Sequence, residues 1–226
     1  MTTVPGTGRD RWTLVSVHVP KTAGTSFRLE LQRAFGDGLR LDNADRPLAH
    51  PRWQRRADAL RQACLHAGRG LPEACIHGHF LPLKYALARR VRFAVWLRDP
   101  VQRVISRYHH YLRHGRDERH HERFGLVPGL TLEQFVRLPQ YQDTCAEYLW
   151  GFPLERFDFV GIVERYHSDV VRFAECFDLQ LEPSTQRANY NPERDGSRYE
   201  VEPGLERLIR RCNPRDVALY ERACRR

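Results

Sequence analysis

Lysine is nearly missing from this chain. Among 37 basic residues only Lys21 and Lys84 are lysine, and the rest are arginine. Paired cysteines are missing too. Cys64, Cys75, Cys145, Cys176, Cys212 and Cys224 form no Cys-x-x-Cys pair, which speaks against a zinc ribbon or a thioredoxin-like motif. The opening M-T-T-V-P-G-T-G-R-D-R has no apolar segment of the signal-peptide kind. No apolar run approaches the roughly 20 residues of a membrane span. These absences predict a cytoplasmic protein with reduced thiols. What is present is ordinary for a globular chain: 226 residues, 41% hydrophobic and 11% aromatic. That length predicts one domain over residues 1–226, with residues 1–12 flexible. The net charge of +9 fits a basic surface, an anionic ligand, a polyanion or an acidic membrane surface, and does not choose among them.

Strand and helix patterns alternate. Thr13–Val19 reads as a buried strand, broken by Pro20–Gly24. A helix follows over Thr25–Phe35, with Phe27, Leu31 and Phe35 on one face and Gly36 at its end. Asp37–Pro51 reads as a polar loop, and Trp53–Ala67 as a helix with Trp53, Ala57, Leu60 and Cys64 on one face. Ala74–His79 and Val91–Leu97 read as strands. Asp99 suits an N-cap and Pro100 a first helical position, for a helix reaching about His114. Arg116–Gly129 is a polar loop, followed by short helices near Thr131–Leu138 and Gln142–Leu149. Phe157–Val163 reads as a last strand, and Glu164–Phe177 as a helix. The pattern predicts a three-layer α/β fold with a central, mostly parallel sheet flanked by helices.

Two stretches carry chemistry. In V-P-K-T-A-G-T-S-F a strand, a loop of small residues and a helix start follow one another. Amides at a helix start face the loop, and the helix dipole favours an anion there. Lys21 adds a compact mobile charge. Ala23 and Gly24 permit close backbone approach, and Thr22, Thr25 and Ser26 add hydroxyls. The glycines that a Walker A loop needs before its lysine are absent, which weakens a nucleotide-kinase reading. In L-R-D-P-V-Q-R-V-I-S-R-Y, Arg98 ends a strand and Ser106 lies in the second turn of the helix that follows. Ligands of an open parallel sheet sit beyond the carboxyl ends of its strands, so Arg98 and the Lys21 loop are expected at one edge. Arg98 standing where an NTPase has its metal-binding Asp suggests a second anion, while Asp99 keeps a metal open.

Together these stretches resemble the phosphosulfate loop and the 3′-phosphate motif of sulfotransferases that use 3′-phosphoadenylyl sulfate. The wording is closest to the carbohydrate enzymes related to heparan sulfate 2-O-sulfotransferase, including short bacterial members. The resemblance extends more weakly to G-I-V-E-R-Y and Leu219-Tyr220-Glu221. It implies a P-loop-like fold and a sulfuryl donor, with adenosine 3′,5′-bisphosphate as product and no metal. It places Lys21 with Thr22, Ala23, Gly24, Thr25 and Ser26 at the phosphosulfate, and Arg98 with Ser106 at the 3′-phosphate. The acceptor it implies is a hydroxyl on a glycan, a glycolipid or a small natural product.

Transfer to an alcohol needs a base. C-I-H-G-H-F resembles the Gly-His segment of the same enzymes, which assigns the role to His79, with His77 second. His18 reads as structural. Arg113–Arg123 and Arg187–Arg198 are candidates for acceptor or nucleotide contacts, or plain surface loops. Three other readings stay open: a P-loop-like kinase, a basic nucleic-acid-binding module without a recognised motif, and an inactive nucleotide-binding relative. Nucleic acid is not expected as a partner.

Overall fold

The computed structural model describes residues 11–45, 50–114, 129–181 and 198–226, with His114 by its backbone only. The expected flexible start lies almost wholly outside these, as do nearly all of Arg116–Gly129 and of Arg187–Arg198.

Five strands form one parallel sheet: β1 (Thr13–Val17), β2 (Leu39–Asp42), β3 (Cys75–Gly78), β4 (Val91–Leu97) and β5 (Phe159–Ile162), in the order β2-β3-β1-β4-β5. The helices are α1 (Gly24–Phe35), α2 (Arg52–His66), α3 (Pro100–His114), α4 (Leu132–Val136), α5 (Thr144–Tyr148), α6 (Tyr166–Phe177), α7 (Pro203–Cys212) and α8 (Pro214–Cys224).

The three-layer expectation holds. Side chains alternate across each strand. Val15, Val17, Ile76, Val95 and Leu97 enter a core shared with Cys145, Tyr148 and Ala223 of α5 and α8. Leu14, Ala94 and Trp96 enter the opposite core, with Phe27 and Leu31 of α1 and Phe173 and Phe177 of α6. A third cluster joins Val104 and Ile105 of α3 to Phe135 of α4 and Ile209 of α7. Arg103 of α3 is buried against Asp216 of α8 at 3.2 Å, and Asp216 also accepts the Cys145 and Ala146 amides, so one carboxylate ties three helices.

Two local readings are corrected. The expected polar loop Asp37–Pro51 contains β2, an edge strand that pairs with β3. Its burial comes at Asp42, which accepts from Lys84 and Tyr85 at 2.6 Å each, so no apolar run announces it. Gly78 lets the end of β2 come close, since a Cβ there would meet the Asp42 carbonyl at 1.9 Å. In α2, Trp53, Ala57, Leu60 and Cys64 do share a face, but that face is exposed. The buried residues are Arg55, Ala59 and Ala63. Small alanines let α2 approach closely, and Arg55 fills the remaining space with its own carboxylate partner.

Candidate active site

The chain steps outward from β1 to β2 and β3, then crosses to β4 on the other side of β1. In open parallel sheets such a reversal is where ligands bind, beyond the carboxyl ends of the strands, and here Lys21, His79 and Arg98 follow β1, β3 and β4 respectively.

The loop after β1 turns sharply. Lys21 (φ 69°) and Ala23 (φ 60°) both take the left-handed conformation without being glycine. Such strain costs on the order of 1–3 kcal/mol per residue and concentrates at functional sites. Alternating left-handed residues turn successive amides inward toward the start of α1, which suits an anion. Buried Thr22 donates its hydroxyl to the Val19 carbonyl at 2.8 Å, so that proton ties the loop and leaves the backbone amide as its donor to a ligand. Thr25 and Ser26 lie half-buried in the first turn of α1.

Gly24 has a further function that the loop pattern hides. A Cβ there would meet the His18 ring at 1.9–2.5 Å, so the glycine makes room for an imidazole as well as for backbone approach. Helix propensity alone would make Gly24→Ala stabilising by up to about 1 kcal/mol. We expect the clash to win and Gly24→Ala to destabilise by about 1–3 kcal/mol, read as a lower urea midpoint.

Arg98 reaches the same loop. Its Nη1 donates to the Lys21 carbonyl at 3.4 Å, and Glu164 stands at 3.9 Å. Asp99 caps α3 by accepting the Gln102 amide at 3.1 Å and faces Arg210 at 3.5 Å. Its amide donates to Glu164, which also accepts from Tyr220, so G-I-V-E-R-Y and the Tyr220 helix meet behind Arg98. Ser106 is buried in α3. Among the described residues no three His, Cys, Asp or Glu side chains are grouped to hold a metal ion.

The positive field is dense. Burial, with Arg107, Arg113 and Arg98, lowers the Lys21 ammonium to about 8. Arg107 forms no ion pair among the described residues, packs at 5.8 Å from the Tyr141 ring, and acts electrostatically on both Lys21 and His79. Sequence reading passed over Arg107, although it directly follows Ser106. Its position on the inner side of α3 was the available signal.

Three imidazoles stack at the rim. The His18 ring lies 4.2 Å from that of His79 and 5.2 Å from that of His77. His77 is buried, bonded to Ser16 Oγ across the β1–β3 pairing at 2.9 Å, and lowered to about 4 by burial. Burial likewise lowers His18 to about 2. His79 is only half-buried, with Nδ1 2.7 Å from the His18 carbonyl. A carbonyl only accepts, so the neutral ring carries its hydrogen on Nδ1 and keeps a lone pair on Nε2. Burial is also the main cause that lowers His79 below the ordinary imidazole value.

No family model matches the sequence, and no curated protein does. A solved sulfotransferase from Alicyclobacillus acidocaldarius is similar in structure, with a TM-score of 0.51 over 96% of each chain at 15% identity. That likeness concerns the fold. No described helix is long and apolar enough to cross a membrane.

Proposed function

We propose that the protein transfers a sulfuryl group from 3′-phosphoadenylyl sulfate to a hydroxyl acceptor. One observation carries the reading: the strained Lys21 turn and Arg98 are in hydrogen-bond contact at one sheet edge, on the side where His79 offers a neutral imidazole. Two cationic grips at one rim suit a nucleotide with anions at both ends. The amides after Lys21 and the Lys21 ammonium face the phosphosulfate, while Arg98 and Ser106 take the 3′-phosphate. The acceptor oxygen forms a bond to sulfur as the bond from sulfur to the phosphate oxygen breaks. Its proton passes to Nε2 of His79. Lys21, aided by Arg107, stabilises charge growing on the departing oxygen, by position and electrostatics.

A kinase reading finds less support. Asp99, which follows Arg98 at the end of β4, is engaged in capping α3 and in facing Arg210. A polysaccharide or glycolipid hydroxyl is the acceptor class that the motif resemblance favours, and the fold likeness does not resolve a 2-O subtype.

Calorimetry with adenosine 3′,5′-bisphosphate, followed by labelled-sulfate transfer to glycans, lipids and phenols, tests the assignment. Absence of nucleotide binding would remove it. The pH profile follows from the two titrating groups. His79 must be neutral to accept a proton, so kcat/KM should rise with pH through an apparent value below the ordinary imidazole 6.5. Lys21 must be protonated, so kcat/KM should fall again above about pH 8. The variant Lys21→Arg, which does not titrate in this range, should lose the alkaline fall, and a fall that persists would detach it from Lys21.

A further inference from the structure

A cavity of about 390 Å³ opens between α2, Asp45 and the turn Phe80–Lys84 that directly follows His79. Its volume is in the range of small-molecule sites, ~300–1,000 Å³. The floor is built rather than incidental. Arg55, with a side chain only 5% exposed, holds Asp45 through two bonds of 2.7 Å. The same guanidinium lies 5.3 Å over the Tyr148 ring, which is itself 6.2 Å from the His79 ring. The Asp45 charge reaches His79. Arg55 and then Tyr148 therefore connect the cavity to the imidazole, and the lining residue Phe80 directly follows His79 in the chain.

Charge in the cavity is balanced. Arg55 pairs with Asp45, Arg61 with Asp58 at 2.8 Å, and Lys84 with Asp42 at 2.6 Å. Each lining cation thus has its own carboxylate, in contrast to Lys21 and Arg107, which form no ion pair among the described residues. A polyanion entering here would meet charges already neutralised, together with the carboxylates that neutralise them. Donors and acceptors remain plentiful in fixed orientation, and the Gln54 amide side chain makes no hydrogen bond among the described residues. Phe80, Leu81 and Ala57 supply apolar wall between them. Trp53, one helical turn before the lining residue Ala57 and on the same face of α2, is 71% exposed and stands outside the lining itself. An open indole face beside a polar cleft suits the C–H face of a sugar ring, whose hydrogens carry the opposite partial charge to the aromatic face.

We infer that this cleft is the acceptor subsite, and that the acceptor is an uncharged polyhydroxylated molecule, a neutral sugar or glycoside stacked on Trp53 with one hydroxyl directed at His79. The inference rests on the sulfuryl-transfer reading for its catalytic meaning, while the binding itself can be measured apart from transfer. Protein saturated with adenosine 3′,5′-bisphosphate is examined by saturation-transfer NMR and calorimetry with methyl glycosides and neutral oligosaccharides. Sulfated or uronate oligosaccharides of equal length serve as the comparison. Binding of neutral compounds is expected, weakened about tenfold or more by Ala57→Trp, which fills the cleft from an exposed position, and also weakened by Trp53→Ala. Nucleotide affinity should be the same in all three proteins, which also shows that the variants are folded. Preference for the anionic compounds, or neutral binding unaltered by Ala57→Trp, would overturn the inference, as would nucleotide binding without any binding of neutral sugar. Sugar binding sensitive to Ala57→Trp with no nucleotide binding would instead keep the cleft as a sugar site and remove the transferase reading.

Discussion

His79→Ala is expected to lower kcat by about 10²–10⁴-fold, the usual contribution of a positioned general base. Affinity for adenosine 3′,5′-bisphosphate should be unchanged, because His79 is held by the His18 carbonyl and lies outside the Lys21–Arg98 grip. Stacking makes one complication measurable. His18 packs at 4.2 Å on the His79 ring, so its removal frees one face of His18. Added imidazole should therefore restore part of the rate if the loss is chemical, and should not if the loss comes from a shifted loop. The acidic limb of the pH profile should also disappear with the ring. Full activity in His79→Ala, with its acidic limb intact, would end the assignment. His77 would not inherit the role, since it is buried beneath α1 and engaged with Ser16.

Lys21→Ala has the second large effect. Loss of one preorganised donor to a developing oxyanion costs about 10²–10³ in kcat. Here the donor is also a full charge, in a crevice where burial and neighbouring arginines already depress its proton affinity. A bound anion reverses that balance, so the ammonium is stabilised most when charge has built up beside it. Both kcat and affinity for the sulfuryl donor should fall, whereas adenosine 3′,5′-bisphosphate should still bind through Arg98. Lys21→Arg is expected to recover binding better than turnover, because a planar fork cannot follow a leaving oxygen as a mobile ammonium can. Equal turnover in Lys21→Arg and the unaltered protein would show that any positive charge suffices there.

The scarcity of lysine made Lys21 conspicuous, and the other lysine turns out to differ in kind. Lys84 is paired with Asp42 and helps to hold the edge strand β2. Composition could not separate the two, because the difference lies in what each faces after folding. The strand-loop-helix stretch around Lys21 and the Asp99-Pro100 start of α3 were legible because they rest on local rules, such as helix starts, caps and alternating strand patterns. The ends of the elements were less so. The first strand stops at Val17 rather than Val19, since pairing with β3 ends there.

What the sequence by itself determined was the order of the helices and of four of the five strands, the parallel α/β class, and which side chains follow β1, β3 and β4. Those depend on nearest neighbours along the chain. Only the tertiary structure decided that Gly24 yields to the His18 ring, that Arg107 lies within electrostatic reach of both Lys21 and His79, that β2 exists, and that α2 turns Trp53 outward one turn from a charge-balanced cleft. Each of these is a contact between residues distant in sequence or a choice between two faces of one helix. Close packing settles such choices, and periodicity alone leaves them undetermined.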